Sequence, residues 1–126
     1  MQWKKNELSE CEVVVMKCIW DEGDDLTCSR VRHRLKDVYG LDYKDTTVYT
    51  FLKNLMEKGF VTCKKNGINF YSAVRSEEDY REEMLNKVTE FWFDNSLARF
   101  ASALVSSKKL TEEEKKELKG MIDELK

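Results

Sequence analysis

The sequence has no proline, five glycines and a single histidine among its 126 residues. With no proline and with 41% hydrophobic residues, a collagen-like or disordered chain is excluded. The longest apolar run is four residues, Val13 to Met16, whereas roughly 20 are needed to span a bilayer. The first residues, MQWKKNELSE, lack the apolar core of a secretory signal. We therefore expect a cytoplasmic protein with no membrane partner.

The length and the cysteine count bound the architecture. A chain of 126 residues suits one soluble domain, or one domain with a small helical appendage. Such a chain buries roughly two-thirds of its unfolded surface, which is enough for a core without covalent cross-links. The absence of an export signal favours reduced thiols over disulfides at all four cysteines, which are Cys11, Cys18, Cys28 and Cys63.

The charge is nearly balanced overall, at -2, but it is unevenly distributed. Residues 1–25 carry three lysines against seven acids, and residues 76–126 carry nine basic residues against thirteen acids. Residues 26–75 carry ten basic residues against four acids. A basic middle between acidic flanks is an electrostatic pattern suited to a polyanionic partner, although ordinary domains also show it by chance.

A first helix is predicted over about residues 10–20. Ser9 and Glu12 have the spacing of a capping box, and the acidic stretch around Gly23 ends the pattern. The apolar residues of this helix recur at the spacing of one buried face: Val13, Met16, Ile19 and Trp20.

A second helix is predicted to begin at Thr27 or Cys28 and to end at Tyr39-Gly40. Its expected buried residues are Val31, Leu35 and Val38. The rest of its surface is expected to be cationic, with Arg30, Arg32, Arg34 and Lys36.

Asp45 is placed to cap a third helix, TTVYTFLKNLMEK, which Gly59 closes. At 100° per residue one face of this helix is apolar, with Val48, Phe51, Leu52 and Leu55. The opposite face is polar, with Thr46, Tyr49, Thr50, Lys53 and Glu57. Hydroxyl, phenol and ammonium groups suit base edges, thymine methyls and phosphates, although an ordinary solvated face has the same appearance.

Residues 60–65 and 68–71 are β-capable and are joined by Asn66-Gly67, the strongest short hairpin signal. Lys64 and Lys65 make the tip of this hairpin basic. Because two strands alone are marginal in water, the hairpin is expected to pack on the helices. Its expected buried residues are Val61, Cys63, Ile68 and Phe70.

The chain from Ser76 onward is predicted to be helical, with caps at Ser76 and Thr111. The first helix has an apolar stripe of Tyr80, Met84, Val88 and Phe91. The second has Leu97, Phe100, Ala101, Leu104 and Val105, and the third has Leu118, Met121, Ile122 and Leu125. Short helices with one apolar stripe need a partner surface to be stable.

Three helices followed by a hairpin with a basic tip is the element order of a winged helix-turn-helix. We therefore expect a mainly α fold with a small β-hairpin wing, in which residues 1–75 form the winged helix and residues 76–126 a helical region. In such folds the third helix enters the major groove and the wing contacts the backbone. The alternative is a winged-helix adaptor that binds proteins and never binds DNA.

The sequence also resembles the penicillinase repressor family (BlaI/MecI/CopY). The resemblance rests on LSECEVVVMKCIWDEGDDLTCSRV, DTTVYTFLKNLMEKGFV and KKNGINFYSAV, and it extends through the C-terminal helices. It implies a homodimeric repressor bound to a palindromic double-stranded DNA operator, which controls β-lactam resistance or related stress genes. The C-terminal helices would form the dimer, through Met84, Val88, Phe91, Leu97, Phe100, Leu104, Leu118 and Ile122.

The resemblance also implies which residues contact DNA. Tyr49 occupies a position where the β-lactamase-linked members carry arginine. Since a phenol cannot make the bidentate contact of a guanidinium with guanine, we expect a related operator and not an identical one. The residues expected at the DNA are Lys44, Thr46, Thr47, Tyr49, Thr50 and Lys53, with Lys64, Lys65 and Asn66 from the wing.

The β-lactam-responsive relatives are inactivated when a regulatory protease cuts an Asn-Phe bond, which corresponds to Arg99-Phe100 here. Phe100 also fits an apolar stripe, so a packed dimer residue explains it equally. The cysteine cluster of the copper-responsive members is missing after Cys63, and we predict neither metal nor cofactor. No nucleophile elbow, phosphate loop or metal-ligand spacing indicates an enzyme.

Overall fold

The computed structural model describes residues 7–106 and 110–125, so most of the N-terminal stretch MQWKKNELSE lies outside the described residues. The described chain is mainly helical with one antiparallel hairpin, as predicted. Its elements, in chain order, are α1 (Glu10–Glu22), α2 (Cys28–Tyr39), α3 (Asp45–Glu57), β1 (Val61–Asn66), β2 (Ile68–Ala73), α4 (Glu77–Trp92), α5 (Leu97–Ser106) and α6 (Glu112–Asp123).

The capping residues in the sequence predicted several helix ends correctly. The Ser9–Glu12 capping box at the start of α1 is present in both directions. The Thr27 side chain caps α2, and Gly40 ends that helix in the left-handed conformation at φ 68°. Thr111 and Glu114 form a second capping box before α6. Each of these signals depends on residues within one helical turn, which is why the sequence alone was sufficient.

The prediction that Asp45 caps α3 is wrong. Lys44 is the N-cap residue and has no side-chain capping hydrogen bond, while Asp45 is the first helical residue. The Asp45 carboxylate instead pairs with Arg32 of α2, at 2.6 Å between Nε and Oδ1. An acidic side chain in the first turn still stabilises α3 through the helix dipole.

The prediction that Val38 is buried is also wrong. Val38 lies in the last turn of α2, one residue before the helix ends, and half of its surface is exposed. Leu35 and Val31, about one and two turns earlier, are fully buried. The helix therefore leaves the core before its last apolar residue, which periodicity alone does not reveal.

The register of the hairpin differs from the expected one. Cys63 pairs with Tyr71 and Val61 pairs with Ala73, so the inward side chains of β2 are at odd-numbered positions. Tyr71 is 2% exposed, whereas Ile68 is 58% exposed and Phe70 is only partly buried. Because side chains alternate across a strand, a one-residue difference in register places Ile68 and Phe70 on the opposite face of the hairpin from the one predicted.

A short bridge, absent from the sequence-based expectation, ties the base of the hairpin to the α1–α2 loop. The backbone of Leu26 exchanges two hydrogen bonds with Tyr71, at 2.8 Å and 2.7 Å. Leu26 is itself buried. The hairpin therefore has a third, single-residue neighbour on the β2 side, which fixes its base against the helical part.

The core of the first compact unit, which extends to Glu82, is formed by α1, α2 and α3 with the hairpin and the start of α4. Tyr80 closes it, with its ring 5.7 Å from Trp20 and 5.5 Å from Phe60. The buried apolar residues are Val15, Met16, Cys18, Ile19, Leu26, Val31, Leu35, Val48, Leu52, Leu55, Phe60, Val61, Tyr71 and Tyr80.

One ion pair of this unit has a buried carboxylate. The Glu12 carboxylate is 3% exposed and lies 2.6 Å from the Lys58 ammonium, which also donates to the Glu7 carbonyl at 2.8 Å. Burial alone would raise the pKa of the Glu12 carboxyl, but hydrogen bonds from Lys58 and Ser9 outweigh it and lower that pKa. The pair connects the first turn of α1 to the end of α3.

The second compact unit begins at Glu83 and contains the rest of α4 with α5 and α6. Neither α5 nor α6 has a buried residue, and Thr89 is the one buried position in the described part of this unit. No helix in the described ranges is long and apolar enough to cross a bilayer.

Candidate nucleic-acid interface

The candidate interface is built on α3, which has two chemically distinct faces. Val48, Leu52 and Leu55 are fully buried, so the helix is held by its apolar side. The opposite side is open, since Thr46, Tyr49, Thr50 and Lys53 are all exposed and Tyr49 retains 49% of its surface. Thr47, at the edge of that face, is partly buried. The structure thus brings together the side chains that the helical wheel assigned to one surface.

The hydroxyl groups on this face have defined local partners. Thr50 donates to the Thr46 carbonyl one turn earlier, at 3.0 Å. This bond satisfies the hydroxyl proton and leaves the oxygen lone pairs and the methyl group at the surface. Both are groups that contact base edges in a major groove.

The lysines around this face have no acidic partners. Within residues 7–106 and 110–125, no carboxylate lies within 4.0 Å of the ammonium of any of them. All are exposed, so their charge is available to an external anion. These lysines are Lys44 before α3, Lys53 within it, and Lys64 and Lys65 on β1.

The expected cationic surface of α2 is largely neutralised. Arg30 and Arg34 converge on the Glu22 carboxylate, at 2.8 Å and 3.3 Å. Arg32 pairs with Asp45, as described above. These three arginines thus link α2 to α1 and α3. Lys36 of α2 is exposed and has no acidic partner in the described residues, like the lysines around the α3 face. The sequence could not separate these two roles, because the acids involved are distant along the chain.

The hairpin also contributes a residue that sequence reasoning missed. The Asn69 amide of β2 donates to the Tyr49 hydroxyl at 3.4 Å, which connects the hairpin to the outer face of α3. Tyr49, Asn69 and Tyr71 line a cavity of about 420 Å³ that extends to the start of α2. Burial raises the pKa of the Tyr71 phenol to about 12. Only the true hairpin register would have placed Asn69 on the inward face.

The surroundings of the cysteine thiols are typical of structural residues and not of reactive ones. Burial raises the pKa of the Cys18 thiol to about 11 and also raises that of Cys28. Cys11 lies 3.4 Å from the Tyr43 hydroxyl. In the described part of the chain all four thiols are free, and no cluster of histidine, cysteine or acidic residues could hold a metal ion. Thiols with raised pKa values are poor nucleophiles and poor metal ligands.

The predicted cleavage and dimerisation residues all lie in the second compact unit. Arg99 and Phe100 lie inside α5, where Arg99 pairs with Asp94 at 2.7 Å. The Phe100 ring stacks on Phe93 at 5.0 Å. Of the expected dimer residues, Met84, Val88, Phe100 and Leu118 are partly buried and Phe91, Leu97, Leu104 and Ile122 are exposed.

Three helices packed on one core, an outward-facing third helix and a hairpin beside it define a winged helix-turn-helix. The sequence model described as penicillinase repressor matches residues 8–124. The chain therefore belongs to the penicillinase repressor family, and this confirms the resemblance found in the sequence.

Two solved structures are similar to the chain. One is the solution structure of the DNA binding domain of the repressor BlaI, with 28% identity, a TM-score of 0.51, and coverage of 63% of this chain and 94% of that one. The other is the monomeric form of Bacillus licheniformis BlaI in complex with the blaP half-operator, with 28% identity, a TM-score of 0.48, and coverage of 59% and 88%. No curated protein matches the chain significantly.

Proposed function

We propose that this protein is a sequence-specific DNA-binding repressor. The observation that carries the proposal is the exposed polar face of α3, surrounded by four lysines that have no acidic partner in the described residues. Family membership and the similarity to the DNA binding domain of BlaI support the same function. Unpaired lysines beside a helix that presents hydroxyl groups suit phosphates and base edges, respectively.

In the proposed complex, α3 lies in the major groove with its polar face toward the base edges. Thr46, Thr47, Tyr49 and Thr50 provide the base-edge contacts, and Lys44 and Lys53 contact the backbone. The wing follows the adjacent backbone through Lys64, Lys65 and Asn66. Phosphate contacts then set most of the affinity, and the α3 face sets the preference among sequences.

We further propose that the protein acts as a homodimer on a palindromic operator. The exposed apolar side chains of α5 and α6 support this, because Leu97, Leu104 and Ile122 each leave 47–72% of their surface uncovered. Large apolar side chains exposed in this number are typical of an association site. Two-fold symmetry would place the two α3 helices in successive major grooves, roughly one or two turns apart.

The regulated genes follow from family membership, which favours β-lactam resistance or related stress genes. A regulatory protease acting at Arg99-Phe100 belongs to the same proposal. Because this bond lies inside α5, the helix would have to open locally before an endopeptidase could cut it.

The function is tested by the salt dependence of binding to the duplex upstream of the chain's own gene. If the four lysines of each subunit neutralise phosphates, eight per dimer, log K should fall with log salt at a slope of about -7. Affinity would then fall by several orders of magnitude between about 50 and 200 mM salt.

A double variant, Lys64→Gln with Lys65→Gln, should reduce the magnitude of that slope by about 4. Lys116→Gln with Lys119→Gln in α6 is the matched control and should leave the slope unchanged. A wild-type chain that binds no duplex, or binds without salt dependence, would contradict the proposal and favour the protein-binding adaptor.

A further inference from the structure

The hydrogen bond between Asn69 and Tyr49 joins the two parts of the proposed interface. Tyr49 projects from α3 and is half exposed, while Asn69 belongs to β2 of the wing. The amide Nδ2 lies 3.4 Å from the phenol oxygen, so the wing contacts the side chain in the centre of the polar face. The Tyr71 phenol, on the same face of β2, also interacts with Tyr49 and with Asn69.

The amide is presented from a fixed backbone. Asn69 pairs with Lys65 in the hairpin and lies two residues from Tyr71, on the same face of β2. Tyr71 is 2% exposed, and its backbone N–H and carbonyl both bond to Leu26. The position of Asn69 is therefore set by the core, and Tyr49 is held by a group that does not move with α3 side chains.

The direction of this hydrogen bond has a chemical consequence. A phenol has one proton to donate and lone pairs that accept. Because the amide N–H occupies an acceptor site of the Tyr49 oxygen, the proton of that hydroxyl remains available toward the exposed side. In the major groove guanine (O6 and N7), thymine (O4) and adenine (N7) each present an acceptor, whereas cytosine presents only the N4 amino donor.

We propose that Asn69 is a positioning residue for operator discrimination, which holds the Tyr49 hydroxyl as a donor and so makes it discriminate against cytosine. The inference rests on the proposed function, since it requires α3 to face DNA. It assigns to the wing a role in sequence preference beyond contact with phosphates. It also assigns to Tyr49 a preference for guanine, thymine or adenine over cytosine at one position of each half-site.

The test begins with the full chain and a pool of randomised duplexes, from which the preferred operator is selected. Binding is then measured on every single-base-pair variant of that operator. Tyr49→Phe should identify the contacted position, because it removes the donor and reduces the discrimination against cytosine there by about three- to tenfold.

Asn69→Ala should reduce the same preference at the same position, and leave the other positions and the affinity for random duplex unchanged. The double variant should lose no more than Tyr49→Phe alone, since both changes remove one interaction. The matched control is Asn66→Ala at the wing tip, which pairs with Ile68 and makes no hydrogen bond to α3 among the described residues. That change should affect all sequences alike.

A second variant tests the direction of the bond. Asn69→Asp presents a carboxylate, which can only accept, so the Tyr49 proton would turn toward the wing and the phenol lone pairs toward the DNA. The added negative charge should weaken binding to every duplex, and the discrimination against cytosine at the contacted position should be lost, because the cytosine amino group can donate to the phenol oxygen. Circular dichroism melting of each variant verifies that the fold is retained.

The outcomes separate the two proposals. If the wild type binds no duplex, both are overturned. If it binds with clear discrimination and Asn69→Ala keeps the full discrimination against cytosine, only this inference is overturned. Cytosine selected by the wild type at the Tyr49 position would also overturn it.

Discussion

The two compact units of this protein use apolar residues in opposite ways. The unit that extends to Glu82 contains all fourteen buried apolar residues of the described chain, and its helices close on one another and on the hairpin. In the described residues from Glu83 onward only Thr89 is buried, and α5 and α6 expose large apolar side chains. The first unit therefore holds its own core, while the second provides surfaces that need a partner.

The largest contrast should come from equivalent leucine truncations in the two units. Leu52→Ala removes a fully buried side chain of α3 and should lower the free energy of unfolding by about 2–5 kcal/mol. Leu104→Ala, at a site 47% exposed, should change it by less than about 1 kcal/mol in the monomer but weaken dimerisation. Urea unfolding and sedimentation measure the two effects. Equal losses of stability would invalidate the comparison.

A second effect concerns where the first unit ends. A fragment of residues 1–82 keeps Tyr80 against Trp20 and Phe60 and the contact of Glu77 with Lys17, all of which a fragment of residues 1–75 lacks. The shorter fragment should be less stable by about 2–4 kcal/mol, mostly through lost burial of the Tyr80 ring. Both fragments should be monomeric in sedimentation. A dimeric fragment would show that dimerisation does not depend on the C-terminal helices.

A third prediction uses the Glu12–Lys58 pair. Since the pKa of Glu12 is lowered in the folded state, the pair contributes stability above the unfolded pKa of about 4.3 and loses it as the pH falls through the folded pKa. Glu12→Gln should cost about 1–3 kcal/mol at pH 7, because it leaves the partly buried Lys58 without a carboxylate. Urea unfolding at pH 7 and at pH 3 should show a smaller pH dependence in the variant. An unchanged pH dependence would rule out the pair as its source.

The smallest effect distinguishes base contacts from phosphate contacts. Thr50→Ala should change the preference among operators by about 0.5–1 kcal/mol per half-site, because Thr50 lies on the α3 face that contacts base edges in the proposed complex. Lys65→Ala should weaken binding to specific and random duplexes by the same factor. Fluorescence anisotropy with both kinds of duplex measures the difference. Identical behaviour of the two variants would contradict the assigned roles.

The parts of the fold that the sequence predicted depend on short-range physics. The caps at Ser9 and Thr111 act within one turn, and the turn at Gly67, with φ 79°, needs only its own dipeptide. The apolar face of α3 likewise follows from periodicity. The order of these elements was then sufficient to predict a winged helix.

The parts that were missed depend on long-range contacts. The inward-facing positions of β2 were predicted one residue out of register, because the sequence does not define the residue at which the strand begins after the turn. For the same reason Asn69 was not predicted to face α3. The pairing of Arg30 with Glu22 and of Glu12 with Lys58 joins residues that are neighbours only after folding. The candidate site could therefore be predicted in its α3 face but not in the wing contact that holds Tyr49.

The open edge of the hairpin has a consequence for solubility. In the described chain β1 pairs only with β2, so its other edge carries unpaired backbone groups that could accept a strand from another molecule. Lys64 and Lys65 lie on β1, and charged lysines on an edge strand oppose such edge-to-edge aggregation. Replacing these two side chains would thus impose a colloidal penalty at high protein concentration, independent of any nucleic acid.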